Sequence, residues 1–88
     1  MNYQVSFSDY SVKKIKKFSK VGQSKLKHFI TSLLPLDSPR KVGKSLSGTY
    51  KGHWRYRADK MRILCIIVDD PNYVIKILDV DYRGNIYK

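Results

Sequence analysis

The first eight residues alternate in character. Tyr3, Val5 and Phe7 are separated by Asn2, Gln4, Ser6 and Ser8. Successive side chains of a strand point to opposite faces, so this pattern predicts a strand with one buried side. Ser8 or Asp9 then caps a helix by accepting a hydrogen bond from an orphan backbone N–H. Val12, Ile15 and Phe18 share one face of that helix, and Lys13, Lys14, Lys16, Lys17 and Lys20 occupy the rest. Gly22 fits a turn between helices. In the second helix Leu26, Phe29, Ile30, Leu33 and Leu34 form an amphipathic stripe. His28 lies between these apolar positions and reads as structural. Pro35 closes the helix, because the residue before a proline is pushed out of the α region.

Residues 36–51 contain Pro39, Gly43, Gly48 and several serines, which predicts a loop, anchored by Leu46. His53-Trp54-Arg55-Tyr56-Arg57-Ala58 alternates again, Asp59-Lys60 makes a turn, and Met61-Arg62-Ile63-Leu64-Cys65-Ile66-Ile67-Val68 is a strand. Asp69-Asp70-Pro71-Asn72 is a second turn. Residues 73–80 are rich in β-branched side chains and read as a third, central strand. The order is β-α-α-β-β-β. It predicts a single α+β domain over residues 1–88, with a helical hairpin packed on one face of a small, mainly antiparallel sheet. The last three strands form a meander.

The chain has 88 residues, 42% of them hydrophobic, enough for one shallow core. An active site at this size is an open concave surface that a large partner completes. Eighteen Lys and Arg against seven acids give a net charge of +11, which draws polyanions to the surface. All seven acids are Asp, an inventory that argues against a two-carboxylate hydrolase or a carboxylate-rich metal site. The single cysteine, Cys65, excludes an internal disulfide and a thiolate metal cluster, and its apolar surroundings predict a buried thiol. The two histidines make no metal motif, so neither a metal nor a cofactor is expected. Residues 1–11 lack the apolar core of a signal peptide, and no apolar stretch is long enough to span a bilayer. A cytoplasmic location without a membrane partner is expected.

Alternation puts Arg55 and Arg57 on one strand face and Trp54 and Tyr56 on the other. If residues 58–61 form the hairpin loop, Arg57 stands opposite Arg62 and all three guanidinium groups converge. Like charges at that range repel, so the cluster suits an anion, and phosphate matches the planar donor fork of arginine. Arg83 follows the third strand, and Tyr87 adds an aromatic face for base stacking. His53 has the parity of the arginines and is a candidate general base. Lys51, Lys60 and Tyr82 flank the same segment as further candidate substrate contacts.

Leu46-Ser47-Gly48, Gly52-His53-Trp54-Arg55-Tyr56-Arg57, Met61-Arg62-Ile63-Leu64 and Val80-Asp81-Tyr82-Arg83-Gly84-Asn85-Ile86-Tyr87 resemble the signature of the RelE/ParE toxin superfamily. The resemblance covers the whole chain in element order. It implies the toxin of a type II toxin–antitoxin system, a ribosome-dependent, metal-independent endoribonuclease. In that chemistry the ribose 2′-OH attacks the adjacent mRNA phosphate. By resemblance, Arg55 and Arg57 bind phosphate and steady the attacking oxygen, and Arg62 stabilises charge on the phosphorane. Arg83 acts as general acid or phosphate ligand, and Tyr87 stacks on the nucleotide. The general base is left open between Arg57, His53, Tyr82 and the ribosome. Two features depart from the family: Tyr82 stands where many relatives have His, and some relatives have Lys at Arg55 and Arg57. The implied partners are a cognate antitoxin, bound in a hetero-oligomer, and the ribosome with its mRNA. A ParE-like DNA gyrase poison and a non-catalytic RNA- or antitoxin-binding relative are the alternatives.

Overall fold

A computed structural model of the chain describes residues 2–82. The opening alternation becomes β1 (Gln4–Phe7), which pairs in parallel with β5 (Val74–Tyr82), from Gln4↔Val74 to Phe7↔Ile77. Tyr3 and Val5 are half-buried, but Phe7, where β1 ends, is exposed. Ser8 caps helix α1 (Asp9–Lys16), its hydroxyl accepting from the Ser11 amide at 3.1 Å. Ser11 is completely buried, and its hydroxyl donates to the Ser8 carbonyl at 2.8 Å. Val12 is more exposed than its spacing suggests, because α1 turns Ser11 rather than Val12 toward the sheet.

Helix α2 (Lys20–His28) starts earlier than the glycine suggests. Ser19 is its cap, and Gly22 lies inside it, buried. The residue is small because of packing, since a Cβ there would sit 2.7 Å from the Tyr82 ring and 3.3 Å from the Phe18 Cβ. Gly22→Val is therefore expected to cost about 2 kcal/mol through overpacking, read as a lower urea midpoint. An unchanged midpoint would mean that the ring moves aside freely.

After His28 the helix widens into a π turn over Phe29–Leu33, closed by the Leu34 amide on the Phe29 carbonyl at 2.8 Å. The wider turn takes an extra residue, so the core contact moves from Leu33, which is 55% exposed, to Leu34, which is buried. His28 is exposed rather than packed inside.

The sheet order is β1-β5-β4-β3-β2, with β2 at Lys44–Ser45, β3 at Trp54–Ala58 and β4 at Met61–Val68. The meander is as expected, and β2 is an additional two-residue strand within the loop. The third strand of the meander is interior, between β1 and β4, but β4 is the middle strand. Tyr56, Met61, Ile63, Cys65, Ile75, Ile77 and Val80 fill the core face, covered by Phe18, Leu26, Phe29 and Leu34 from the helical layer. Burial pushes the Cys65 thiol up to about 12, so it is an inert packing group.

One irregularity controls what β5 shows to solvent. Leu64 faces Asp79 but Cys65 faces Ile77, so Leu78 is an extra residue on β5. Strict alternation from Ile75 and Ile77 would send Asp79 and Asp81 into the core. The bulge reverses the parity, placing Val80 and Tyr82 inside and both aspartates on the open face. Its carbonyl is not wasted, because the Ser8 hydroxyl donates to the Leu78 oxygen at 3.1 Å.

Candidate phosphate-binding face

The two-residue turn Asp59-Lys60 fixes the register of the β3–β4 hairpin. Asp59 takes a left-handed conformation there (φ 58°), which Asp tolerates better than most residues. Arg57 and Arg62 are consequently Cα partners, and Arg55 pairs with Leu64 on one side and Lys44 on the other. Arg57, Arg62 and Lys44 are exposed and Arg55 is half-buried. Three arginines and a lysine thus share the face opposite the helices. Gly43, Lys44, Arg55 and Arg57 line a depression of about 190 Å³.

The charge balance of this face is unusual. Among the described residues, Arg55, Arg57 and Arg62 have no carboxylate within ion-pair distance. Four aspartates are engaged elsewhere: Asp59 with Lys25, Asp69 with Arg40, and Asp79 and Asp81 with Lys14. Arg40 and the Tyr3 hydroxyl hold the Asp69 carboxyl below the ordinary carboxylate range. The face therefore presents uncompensated guanidinium donors, the arrangement that grips phosphate.

The loop before β3 is held on the sheet by the half-buried Leu46, whose amide donates to the His53 carbonyl at 3.1 Å, by the β2–β3 pairing, and by two aromatic donors. Tyr56 donates to the Pro39 carbonyl at 2.6 Å, and Trp54 Nε1 donates to the Val42 carbonyl at 3.0 Å. Burial raises the Tyr56 phenol, which keeps it a donor. Just past these anchors Gly43 adopts φ +82° and approaches the backbone of Arg55 closely.

The other sequence-predicted residues are spread more widely. His53 precedes β3, its ring edge-on to Tyr50 at 5.7 Å, and its buried Nδ1 has no hydrogen-bond partner among the described residues. Lys51 is exposed beyond a short 3-10 turn (Gly48–Tyr50), and Lys60 is exposed at the hairpin tip. Tyr82 does not share the arginine face. It is 7% exposed and packs on the core side against Phe18, because the bulge sets its parity. Arg83 and Tyr87 lie outside the described residues. Lys14, Asp79 and Asp81 were missed, although the parity of Asp79 and Asp81 on an open face is a signal once the bulge is known.

No group of three or more His, Cys, Asp or Glu that could hold a metal occurs among the described residues. No helix among them is long and apolar enough to cross a membrane. A larger cavity of about 400 Å³ lies by Ser24, Lys25, His28, Phe29, Leu33, Ala58 and Asp59. Its lining is mainly apolar, and Lys25 and Asp59 there bind each other at 2.8 Å. It is a poorer phosphate site than the arginine face.

No protein-family model matches the sequence, and no curated protein matches it either. Solved structures do. A chain of the toxin–antitoxin complex RelBE2 from Mycobacterium tuberculosis superposes with a TM-score of 0.84 at 28% identity, covering 94% of this chain and 100% of that one. The archaeal RelE–RelB complex from Pyrococcus horikoshii gives 0.69 at 28% identity, with 96% and 98% covered. A double arginine-to-alanine mutant of the E. coli toxin RelE in the free state gives 0.72 at 20% identity, with 94% and 85% covered. The shared fold and the nearly complete two-way coverage show that this chain has the RelE-like fold.

Proposed function

We propose that the chain is the toxin of a type II toxin–antitoxin system and a ribosome-dependent, metal-independent endoribonuclease. The observation that carries the reading is the arginine face. Arg57 and Arg62 stand directly opposite one another beside Arg55, and none of the three has a carboxylate partner among the described residues. Such a cluster is electrostatically costly for a free protein and favourable once a phosphate lies across it.

In the proposed reaction the ribose 2′-oxygen attacks the adjacent phosphorus and the 5′-oxygen of the next nucleotide leaves. The 2′-OH gives up its proton as the bond forms, and the leaving oxygen takes one up. The products are a 2′,3′-cyclic phosphate and a 5′-hydroxyl. Arg55 and Arg57 bind the phosphate and steady the attacking oxygen, and Arg62 meets the charge that grows on the phosphorane. Arg83 and Tyr87 are assigned on sequence grounds, Arg83 to the leaving oxygen or the phosphate and Tyr87 to stacking on the base. The open face leaves room for a ribosome to supply the remaining walls of the site. The solved RelE–RelB complexes support a cognate antitoxin as partner.

The test is primer extension on an mRNA under translation in the presence of the purified protein. Cuts in the translated region that vanish when ribosomes are omitted are expected. Arg83→Ala should abolish them as well. Gyrase-dependent DNA breaks without mRNA ends would reassign the chain to the gyrase poisons. Expression that leaves growth unaffected would mark it as a non-catalytic relative.

A further inference from the structure

The arginine face has two acidic residues inside its border, and their disposition requires an explanation. Asp81 is the Cα partner of Arg62 across β4 and β5, and Asp79 lies diagonally from it. Directly opposed residues of an antiparallel pair have Cβ atoms about 4.5–5.5 Å apart, and opposite charges there attract. The default outcome would be an Arg62–Asp81 pair that fills the guanidinium fork and repels phosphate. It does not form. Both carboxylates instead accept hydrogen bonds from a single ammonium, Lys14 Nζ, at 2.8 Å for Asp79 and 2.5 Å for Asp81.

The fold sets this up. β1 covers the flank of β5 only from Val74 to Ile77, so from Leu78 onward α1 lies alongside instead. Ser8 fastens the start of α1 to the bulged Leu78. Six residues of helix advance about 9 Å, and three residues of strand about 10 Å. Lys14 therefore arrives level with Asp81. Burial works against the ammonium, but the two carboxylates outweigh it and hold Lys14 above the ordinary lysine value. The Tyr10 ring, one turn earlier, lies 5.6 Å from Nζ.

We propose that Lys14 is a positioning residue for Arg62, drawing Asp79 and Asp81 toward the sheet flank so that the arginine stays free for an RNA phosphate. The inference rests on the phosphate-binding reading of this face. It adds a residue from a different element, α1, which packs along β5.

Binding of a non-cleavable 2′-O-methyl RNA trinucleotide to the full chain tests it, with fluorescence anisotropy and thermal unfolding measured on each variant. Lys14→Met should weaken binding about tenfold, the loss of one charge-assisted contact. Lys14→Met/Asp81→Asn should recover to within about twofold of the parent, and Lys14→Arg should retain affinity. A merely structural lysine would not be rescued by removing a negative charge at a second site. Should Lys14→Met fail to fold, Asp81→Asn alone decides. Affinity held within about twofold agrees with the proposal, and a tenfold loss overturns it, since Asp81 would then itself support the site. Parent protein that depends on Arg62 but is indifferent to Lys14→Met overturns the role of Lys14 alone. Parent protein indifferent to Arg62→Ala overturns the phosphate reading and this inference together.

Discussion

Arg62→Ala should lower ribosome-dependent mRNA cleavage by about 10²–10³-fold, the usual cost of removing one preorganised donor from a developing oxyanion. The side chain is exposed, stands on the face away from the core, and has no ion-pair partner among the described residues. Truncating it leaves no cavity and strands no buried charge, so thermal unfolding should shift little. If anything, relief of repulsion with Arg57 stabilises the hairpin slightly. Arg62→Lys keeps the charge but loses the planar fork, and should fall between the two. Primer-extension time courses measure the loss, and a melting curve on the same preparations separates chemistry from folding. Cleavage at the parental rate by a folded Arg62→Ala protein would remove Arg62 from the mechanism.

Gly43→Ala should cost about 3 kcal/mol, more than the same change at Gly48 or Gly52, where a Cβ would meet nothing within 4 Å. Two costs add. A left-handed backbone (φ +82°) costs a residue with a Cβ about 1 kcal/mol relative to glycine. The new methyl would also lie 2.5 Å from Trp54 Nε1 and 2.6 Å from the Arg55 carbonyl oxygen. The tryptophan nitrogen is tied to the Val42 carbonyl and the oxygen belongs to the backbone of β3, so neither can move away cheaply. Overpacking of this kind costs about 1–3 kcal/mol. A domain of this size holds only roughly 5–10 kcal/mol in total, so the urea midpoint should fall sharply. Because Gly43 also lines the depression beside Arg55 and Arg57, phosphate affinity should fall with it. A parental midpoint would show that the loop finds another path.

The residues that could be read from the sequence are those governed by local rules. The two-residue turn at Asp59-Lys60 and the alternation around it set Arg57 against Arg62, and the pairing follows from parity alone. A cap at Ser8 or Asp9 and the strands of the meander were legible for the same reason. What was not legible depends on neighbours distant in sequence. Gly22 reads as a turn residue, but its size answers to the Tyr82 ring. Asp79 and Asp81 reach the open face only through the bulge at Leu78, whose carbonyl is satisfied by Ser8. Lys14 is one of several lysines along α1, and no local pattern distinguishes it from Lys13 or Lys16. The π turn after His28 has no local signature either, so Leu33 and Leu34 looked equivalent although one is exposed and the other buried.

The parallel pairing of β1 with β5 also affects how the chain is made. Ser8 and Leu78, which meet at the end of that pairing, lie 70 positions apart. Contacts this distant in sequence are slow to form, because the intervening chain must be confined before they repay it. The helices and the β3–β4 hairpin need only near neighbours, but β1 has no partner until β5 has been synthesised. At roughly 5–20 residues per second, β1 emerges several seconds before the strand it pairs with. A chain whose synthesis ends before Val74 therefore lacks β5. Such a fragment lacks Ile75, Ile77 and Val80 from its interior and has nothing on which to align α1. Incomplete translation products of this chain should be unfolded and open to proteolysis.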